Sequence, residues 1–332
     1  MARTGKNDTR DKKELPSKEV LFGLLETMQL IRSFEEKAGQ MYGLRKIGGF
    51  CHLYTGQEAV ASGAISTLDL TKDYVLTAYR DHGHALAIGM EPDTLMAELF
   101  GKLTGSSRGK GGSMHFFSPE KHLLGGNGIV GAQIPVATGV ALAQAYEGSG
   151  GATLCFFGDG AFHQGALHES FNLAKIWELP IVYIVENNQW GMGTSWKKVS
   201  AQSDFSATAA AYSMTGLVCD GMDVLDVRET VGKAVREARK GNPVFVEART
   251  YRYKGHSMSD PQKYRTRDEV DEYRRRDPIA FLRSRMEKAS LIREEEWQAI
   301  VQKSEEIVDA AVHFAETSPE PSLGELYTDI LA

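Results

Sequence analysis

The chain of 332 residues has only three cysteines, Cys51, Cys155 and Cys219, far apart and without a CxxC pair. That excludes a disulfide framework and a cysteine zinc site, and it reads as three reduced core residues of a cytoplasmic protein. There is no excess of positive charge: 38 Lys and Arg stand against 44 Asp and Glu, a net charge of −6. A dedicated nucleic-acid binder is disfavoured on that balance. No stretch suits a membrane span. Residues 123–146 carry no charge, but Gly125, Gly126, Asn127, Gly128, Gly131, Gln133 and Pro135 crowd the first half, so the stretch reads as a loop leading into a helix. The first sixteen residues lack an apolar segment, and Asp8, Asp11 and Glu14 interrupt their basic character. They read as a disordered tail and not as a secretory signal or a cleaved leader. Neither an internal repeat nor a linker rich in Pro or Ser divides the rest, which predicts one domain over 17–332.

What is present is average globular composition, 42% hydrophobic and 25% charged, in a chain long enough to bury most of its surface. Ser17 opens a helix with an apolar face at Leu21, Leu24, Leu25, Met28, Leu30 and Ile31. Further helices are expected over 57–67, 93–103, 136–146 and 164–177, with strands over 74–78, 152–157, 181–186, 217–219 and 243–248. Residues 101–131 are glycine-rich and read as loop, as do 194–204. Val224, Val227, Val231, Ala234, Val235 and Ala238 fall at helical spacing. Alternating strands and helices predict an α/β fold, a mostly parallel sheet flanked by helices on both faces. A helical C-terminal extension is expected over 268–332, with Asp277-Pro278 opening one helix and 294–315 forming another.

The chemistry concentrates where strands end. An apolar strand to Phe157 runs into Gly158-Asp159-Gly160, whose glycines let backbone approach a ligand and whose following helix offers N–H groups to an anion. Asp159 would repel a bare phosphate. It makes sense with Mg²⁺ between, since that ion takes one or two protein oxygens plus phosphate oxygens. The next strand ends in Asn187-Asn188, and a neutral oxygen there adds no charge. Alone, Gly-Asp-Gly is most often a plain strand-to-helix turn with a cap. A second pattern, Gly126-Asn127-Gly128-Ile129-Val130-Gly131, fits a dinucleotide fingerprint, but only Leu123-Leu124 stands where a buried strand should precede it.

Gly-Asp-Gly, 26 residues and then Asn187-Asn188 is the thiamine diphosphate motif. The segments GGFCHLYTGQEA (48–59), TAYRDHGHALAIG (77–89), GKGGSMHFF (109–117), GGNGIVGAQIP (125–135), ENNQWGMGTS (186–195), DGMDV (220–224) and YRYKGHSMSDPQKYRTRDE (251–269) extend it. Over about residues 20 to 330 the chain resembles the alpha subunits of pyruvate dehydrogenase decarboxylating components, in the thiamine diphosphate-dependent 2-oxo acid dehydrogenase family. The resemblance implies the thiamine diphosphate-binding fold, with a domain of the diphosphate type. It also implies decarboxylation of pyruvate on thiamine diphosphate and Mg²⁺, with the two-carbon unit passed to the lipoyl group of dihydrolipoyl acetyltransferase. Asp159 and Asn188 match magnesium ligands, and Trp190 (usually Tyr in relatives) matches a main-chain oxygen ligand. Tyr79 and Arg80 match contacts to cofactor and substrate, and Gly128, Val130, Gly160 and Ala161 match cofactor contacts. His52 and Ser118 match positions near the 2-oxo acid, and His256 matches a histidine in a mobile loop, the two histidines being the catalytic candidates. His82, His84, His115 and His163 are left as satisfied polar residues.

Ser257 matches the main regulatory serine of mitochondrial relatives, whereas their second serine has no match in the shorter DPQKYRT. The family's catalytic glutamate and pyrimidine-binding domain lie on a beta subunit, which implies a heterotetramer of two alpha and two beta chains. Acetoin dehydrogenase and branched-chain 2-oxo acid dehydrogenase remain near alternatives. A nicotinamide-dinucleotide oxidoreductase and a non-catalytic assembly subunit are the alternatives of other classes.

Overall fold

A computed structural model describes residues 15–330; most of the tail expected over 1–16 lies outside the described residues. The strands are β1 (Tyr74–Ala78), β2 (Leu123–Asn127), β3 (Thr153–Gly158), β4 (Ile181–Asn187), the two-residue β5 (Trp190–Gly191) and β6 (Thr194–Ser195), β7 (Thr215–Asp220) and β8 (Val244–Arg249). Between and around them lie α1 (Lys18–Gly43), α2 (Glu58–Ile65), α3 (His82–Ala87), α4 (Pro92–Leu99), α5 (Gln133–Glu147), α6 (Gly165–Ile176), α7 (Val224–Ala238), α8 (Arg267–Arg274), α9 (Pro278–Lys288) and α10 (Glu294–Thr317). Six strands form one parallel sheet in the order β2-β1-β3-β4-β8-β7, while β5 and β6 make a small antiparallel hairpin.

The central strands are buried on both faces, as a parallel sheet covered by helices requires. Alternation along each strand divides the core. Leu154, Phe156, Val182, Ile184, Val244 and Val246 face a layer containing Phe34 of α1, Ala61 and Ala64 of α2, Val227 and Val231 of α7 and Ala311 of α10. Cys155, Phe157, Ile181, Tyr183, Val185 and Phe245 face Ile134 and Ala137 of α5, Leu167 and Phe171 of α6 and the 3-10 helix carrying Phe205 and Ala209. The helix entries follow their sequence signals: Ser17 accepts from the Val20 amide, and Asp277 accepts from those of Ile279 and Ala280.

Two expectations over 101–131 and 57–103 need correction. The glycine-rich stretch is not all loop, because β2 forms inside it and extends the sheet beside β1. Its sequence, LLGGN, has little strand propensity, and the edge of β1 supplies the pairing. Gly125 fits at φ +93° with the Phe117 ring packed where any side chain would stand. The short α3 was not expected at all, and the helix expected over 93–103 ends at Leu99. Likewise 194–204 contains β6 and a 3-10 turn over Trp196–Lys198.

Candidate active site

Strand order reverses between β1 and β3: the chain runs outward to β2 from one and to β4 from the other. Open parallel sheets bind ligands at such a point, beyond the carboxyl ends of the strands. A cavity of about 510 Å³ lies there, within the range of small-molecule and cofactor sites. The end of β1 contributes Tyr79 and Arg80, the loop after β2 Gly128 and Val130, and the turn after β3 Asp159, Gly160 and Ala161. Asn188 and Trp190 follow β4, His256 comes from the loop after β8, and His52 from the segment before α2. Eleven candidates drawn from six places in the sequence therefore share one cavity. Ser118 does not: it is not part of the lining, its backbone pairs with Leu123, and its hydroxyl donates to Glu120 at 3.3 Å. Ser257 lies next to the lining residue His256, is buried, and has its hydroxyl 2.9 Å from that of Ser259.

Gly158-Asp159-Gly160 is not a simple helix cap. One 3-10 turn spans Asp159–Ala161, and α6 begins only at Gly165 behind Gln164. The helix expected over 164–177 is thus α6, and it starts four residues beyond the Gly-Asp-Gly turn. Asp159 is 4% exposed, and its Oδ2 has no hydrogen-bond partner. Burial pushes its carboxyl up to about 6, against the pull of Arg252 and Arg80. A buried, unpartnered carboxylate oxygen beside the Asn188 amide is what a cation with oxygen ligands would satisfy. No group of three or more His, Cys, Asp or Glu able to hold a metal occurs among the described residues. A cation here would thus rest on one carboxylate and neutral oxygens, a donor set that suits Mg²⁺ with phosphate oxygens completing its shell. The backbones of Gly160 and Gly191 approach each other beside it, with a Cβ on either meeting the other's Cα at 3.3–3.5 Å.

The Trp190 carbonyl also accepts from Arg252 Nη1 at 3.0 Å, leaving one lone pair for another partner. The Trp190 side chain is engaged as well. The indole N–H donates to Glu269 at 2.7 Å, and Glu269 also accepts from Tyr251 at 2.8 Å.

Arg80 is held by Leu53 O at 2.7 Å and His256 O at 2.8 Å, clamping together the two loops that carry the histidines. Burial and then Arg252 lower its pKa to about 10, which leaves it charged at neutral pH. The His52 and His256 rings meet edge to face 5.2 Å apart, with Tyr79 against both. Burial first, then Arg80, lowers His52 to about 2 and His256 to about 4. Both are neutral at pH 7, and the Nδ1 of each lacks a partner.

A pH prediction follows from His52, whose folded pKa lies below the unfolded value of 6.5. The unfolded chain takes up a proton below pH 6.5 that the folded chain refuses, so this group costs nothing above pH 6.5 and erodes stability as pH falls. The erosion is up to about 1.4 kcal/mol per pH unit. In urea denaturation at pH 7 and pH 5, His52→Gln is expected to reduce the acid-induced loss by about 2 kcal/mol. An unchanged difference would show that His52 is protonated without penalty.

Sequence reasoning missed the supports of this site. Glu186 lines the cavity, accepts from the Tyr54 hydroxyl in a short hydrogen bond, and lies 3.4 Å from His84 Nε2. Glu35 binds His82 Nδ1 at 2.9 Å and the Tyr54 amide at 2.7 Å. Burial opposes protonation of His82, but Glu35 outweighs it and raises the pKa. Ser113 then joins His82 Nε2 (2.8 Å) to the His52 amide (3.0 Å). Arg252, only 1% exposed, binds Met192 O and Tyr264 as well as Trp190 O. Asp260 accepts from the His256 amide at 2.7 Å and from Tyr264 at 2.5 Å. The loop carrying His256 is therefore held by its own side chains. Gln57 and Met114 also line the cavity. The adjacency of Glu186 and Arg252 to motif residues was the available signal; the rest had none.

The dinucleotide alternative loses one objection, because Leu123-Leu124 opens a strand, β2, that runs into Gly126-Asn127. What separates the readings is the direction of the loop: Gly128, Val130 and Gly131 face the cavity of Asp159 and Asn188.

Residues 26–323 match the family model described as dehydrogenase E1 component. The chain is 52% identical over 306 residues to the pyruvate dehydrogenase E1 component subunit alpha of Rhizobium meliloti (strain 1021), covering 92% of this chain and 88% of that protein. The protein of the same name from Rickettsia felis is 45% identical over 324 residues, 97% of this chain and 99% of its own. The chloroplastic subunit alpha-3 of Arabidopsis thaliana is 43% identical, with 98% and 78% covered. With its geometry, its motifs and a match over nearly the whole length, the chain belongs to the dehydrogenase E1 component family.

Proposed function

We propose that this chain is the alpha subunit of a pyruvate dehydrogenase, decarboxylating pyruvate on thiamine diphosphate and Mg²⁺ and passing the two-carbon unit to the lipoyl domain of dihydrolipoyl acetyltransferase. The observation that carries the reading is the buried Asp159 with its unpartnered oxygen, set beside Asn188 at the switch point of the sheet. When bound, thiamine diphosphate supplies the electron sink for the decarboxylation.

The chain's own residues do the rest. Asp159, Asn188 and the Trp190 carbonyl would hold the cation. Gly160, Ala161, Gly128 and Val130 give backbone close to the cofactor, and Arg80 with Tyr79 adds a fixed cation and an aromatic wall. His52 and His256, neutral at working pH, offer unpartnered ring nitrogens to the carboxylate of a 2-oxo acid without a competing counter-charge. Phe50, Met114 and Met192 add apolar surface to the lining. The segments 189–204 and 251–269 form the mouth through which a lipoyl arm would reach.

A beta subunit, in a tetramer of two alpha and two beta chains, would supply the missing carboxylate. Exposed Val136, Leu142 and Tyr146 on α5, with Ile176 and Trp177 at the end of α6, offer apolar surface for subunit contacts. No helix among the described residues is long and apolar enough to cross a membrane, and with few cysteines this suits a cytoplasmic enzyme. Ser257 is the position at which a kinase would act, adding about two negative charges beside His256. Its burial requires the loop to open first.

The test is 2-oxo acid-dependent reduction of an artificial electron acceptor by the chain co-expressed with its beta partner. Activity with pyruvate that needs both thiamine diphosphate and Mg²⁺ is expected. Preference for branched 2-oxo acids or acetoin would move the substrate, and a stable but inactive complex would favour an assembly role.

A further inference from the structure

Gln57 is a cavity-lining side chain that the proposed chemistry leaves without a task. It stands at the entry to α2, 1% exposed, with its backbone N–H donating to Tyr54 O at 3.1 Å. The turn before it is fixed by Gly56, at φ +99°, where a Cβ would lie 2.4 Å from the Tyr251 carbonyl oxygen. Its Oε1 accepts from Asn188 Nδ2 at 2.9 Å, and its own Nε2 has no partner.

Side-chain amides can be turned either way, so the order of O and N must be read from a partner whose chemistry is fixed. That partner is the backbone N–H of Trp190, which donates to Asn188 Oδ1 at 3.3 Å. A backbone N–H can only donate, so the oxygen of Asn188 faces Trp190 and its NH₂ group faces Gln57. Gln57 must then answer with its oxygen, and its NH₂ group is left as a buried donor in the wall of the cavity. A residue serving the core alone has no need of such an unpaired donor.

From this geometry we propose that Gln57 is a positioning residue of the cation site: it locks the Asn188 amide with its oxygen on the cation side and directs a hydrogen-bond donor at the anionic ligand beside the cation. Without an acceptor at position 57, only the longer contact from the Trp190 N–H (3.3 Å) holds the Asn188 amide, which can then turn and set its NH₂ group against the cation. The inference rests on the reading of Asp159 and Asn188 as cation ligands.

The test uses the complex with the beta subunit, thiamine diphosphate and Mn²⁺ as the probe, with free Mn²⁺ followed by its electron paramagnetic resonance and Mg²⁺ by competition. Partners in the second layer of a metal site are commonly worth 10- to 100-fold in affinity. Gln57→Leu is expected to lose about that factor in Mn²⁺ affinity, with an unchanged ligand-free melting temperature. Gln57→Glu keeps an acceptor for Asn188 but loses the donor and adds a negative charge beside the anionic ligand, so it should recover the affinity only in part. Mn²⁺ binding by Gln57→Leu at the wild-type level, or by Gln57→Glu as weak as by Gln57→Leu, would overturn the role. Asp159→Asn separates the two levels of the argument. If it alone loses Mn²⁺, the cation site stands and the role of Gln57 falls; if it binds as the wild type does, the cation site itself is wrong.

Discussion

Asp159→Asn is expected to abolish cofactor-dependent activity while leaving the ligand-free fold intact. The wild-type carboxylate is buried with one oxygen unpartnered, and burial already raises its pKa to about 6. Burial of this charge costs more than Arg252 and Arg80 return, so a neutral amide of nearly the same shape should keep or raise the ligand-free melting temperature. What the amide removes is the only acidic side chain proposed to bind the cation. Loss of a partner in the second layer alone commonly costs 10- to 100-fold, so loss of the charged ligand should weaken Mg²⁺ binding by more than a hundredfold. A ligand at a hundred times its dissociation constant stabilises the folded state by about 2.7 kcal/mol, and that gain should vanish. Thermal melts of the complex with and without thiamine diphosphate and Mg²⁺ measure it directly. An undiminished shift in the variant would mean that Asp159 holds no cation, and the proposed function would lose its main support.

Glu98→Ala should have the largest effect on the fold. This carboxylate, at the end of α4, is fully buried and accepts four backbone N–H groups of the glycine-rich loop. One oxygen takes those of Ser107 (2.8 Å) and Gly109 (2.9 Å), the other those of Gly111 (2.7 Å) and Gly112 (2.9 Å). That loop delivers Ser113 to the His82–His52 network and Met114 to the cavity wall. Alanine leaves four amides without an acceptor, each worth about 1–3 kcal/mol if it stays buried. Part of the loop can turn to water, so the expected net loss is on the order of 4 kcal/mol, a large share of an ordinary domain's stability. Glu98→Gln keeps one oxygen but sets an NH₂ group against two donors, and should fall between. Hydrogen exchange at the amides of residues 107–112 would show the opening, with faster exchange in Ala than in Gln. Exchange as slow as wild type in the alanine variant would show that the loop holds itself.

Asp159 and Glu98 differ in how far the sequence reveals them. Asp159 was legible because its turn ends an uninterrupted apolar strand, Thr153–Gly158, and because the Asn187-Asn188 that follows lies at a set spacing along the next one. Local chemistry and chain direction alone bring those two strand ends together, since adjacent parallel strands carry their carboxyl ends to the same edge. Glu98 was not legible. A glutamate on an amphipathic helix reads as a solvent-facing residue, and only folding brings the loop's amides around it. The same holds for Gln57 and Asn188, 131 residues apart in the chain. Ser118 was singled out by its motif alone, and its backbone pairs with Leu123 outside the cavity lining.

By itself, then, the sequence determined the periodic elements: strands whose β-branched and aromatic runs suit a sheet buried on both faces, and helices whose caps and apolar stripes are local properties of a few consecutive residues. It also determined the family, through motifs spread over nearly the whole length. Tertiary structure alone decided β2, whose Leu-Leu-Gly-Gly-Asn has no strand preference and pairs because the edge of β1 is there to receive it. It also decided which buried polar groups meet, because a hydrogen bond between distant residues depends on the placement of two whole elements, and no pattern along the chain records that.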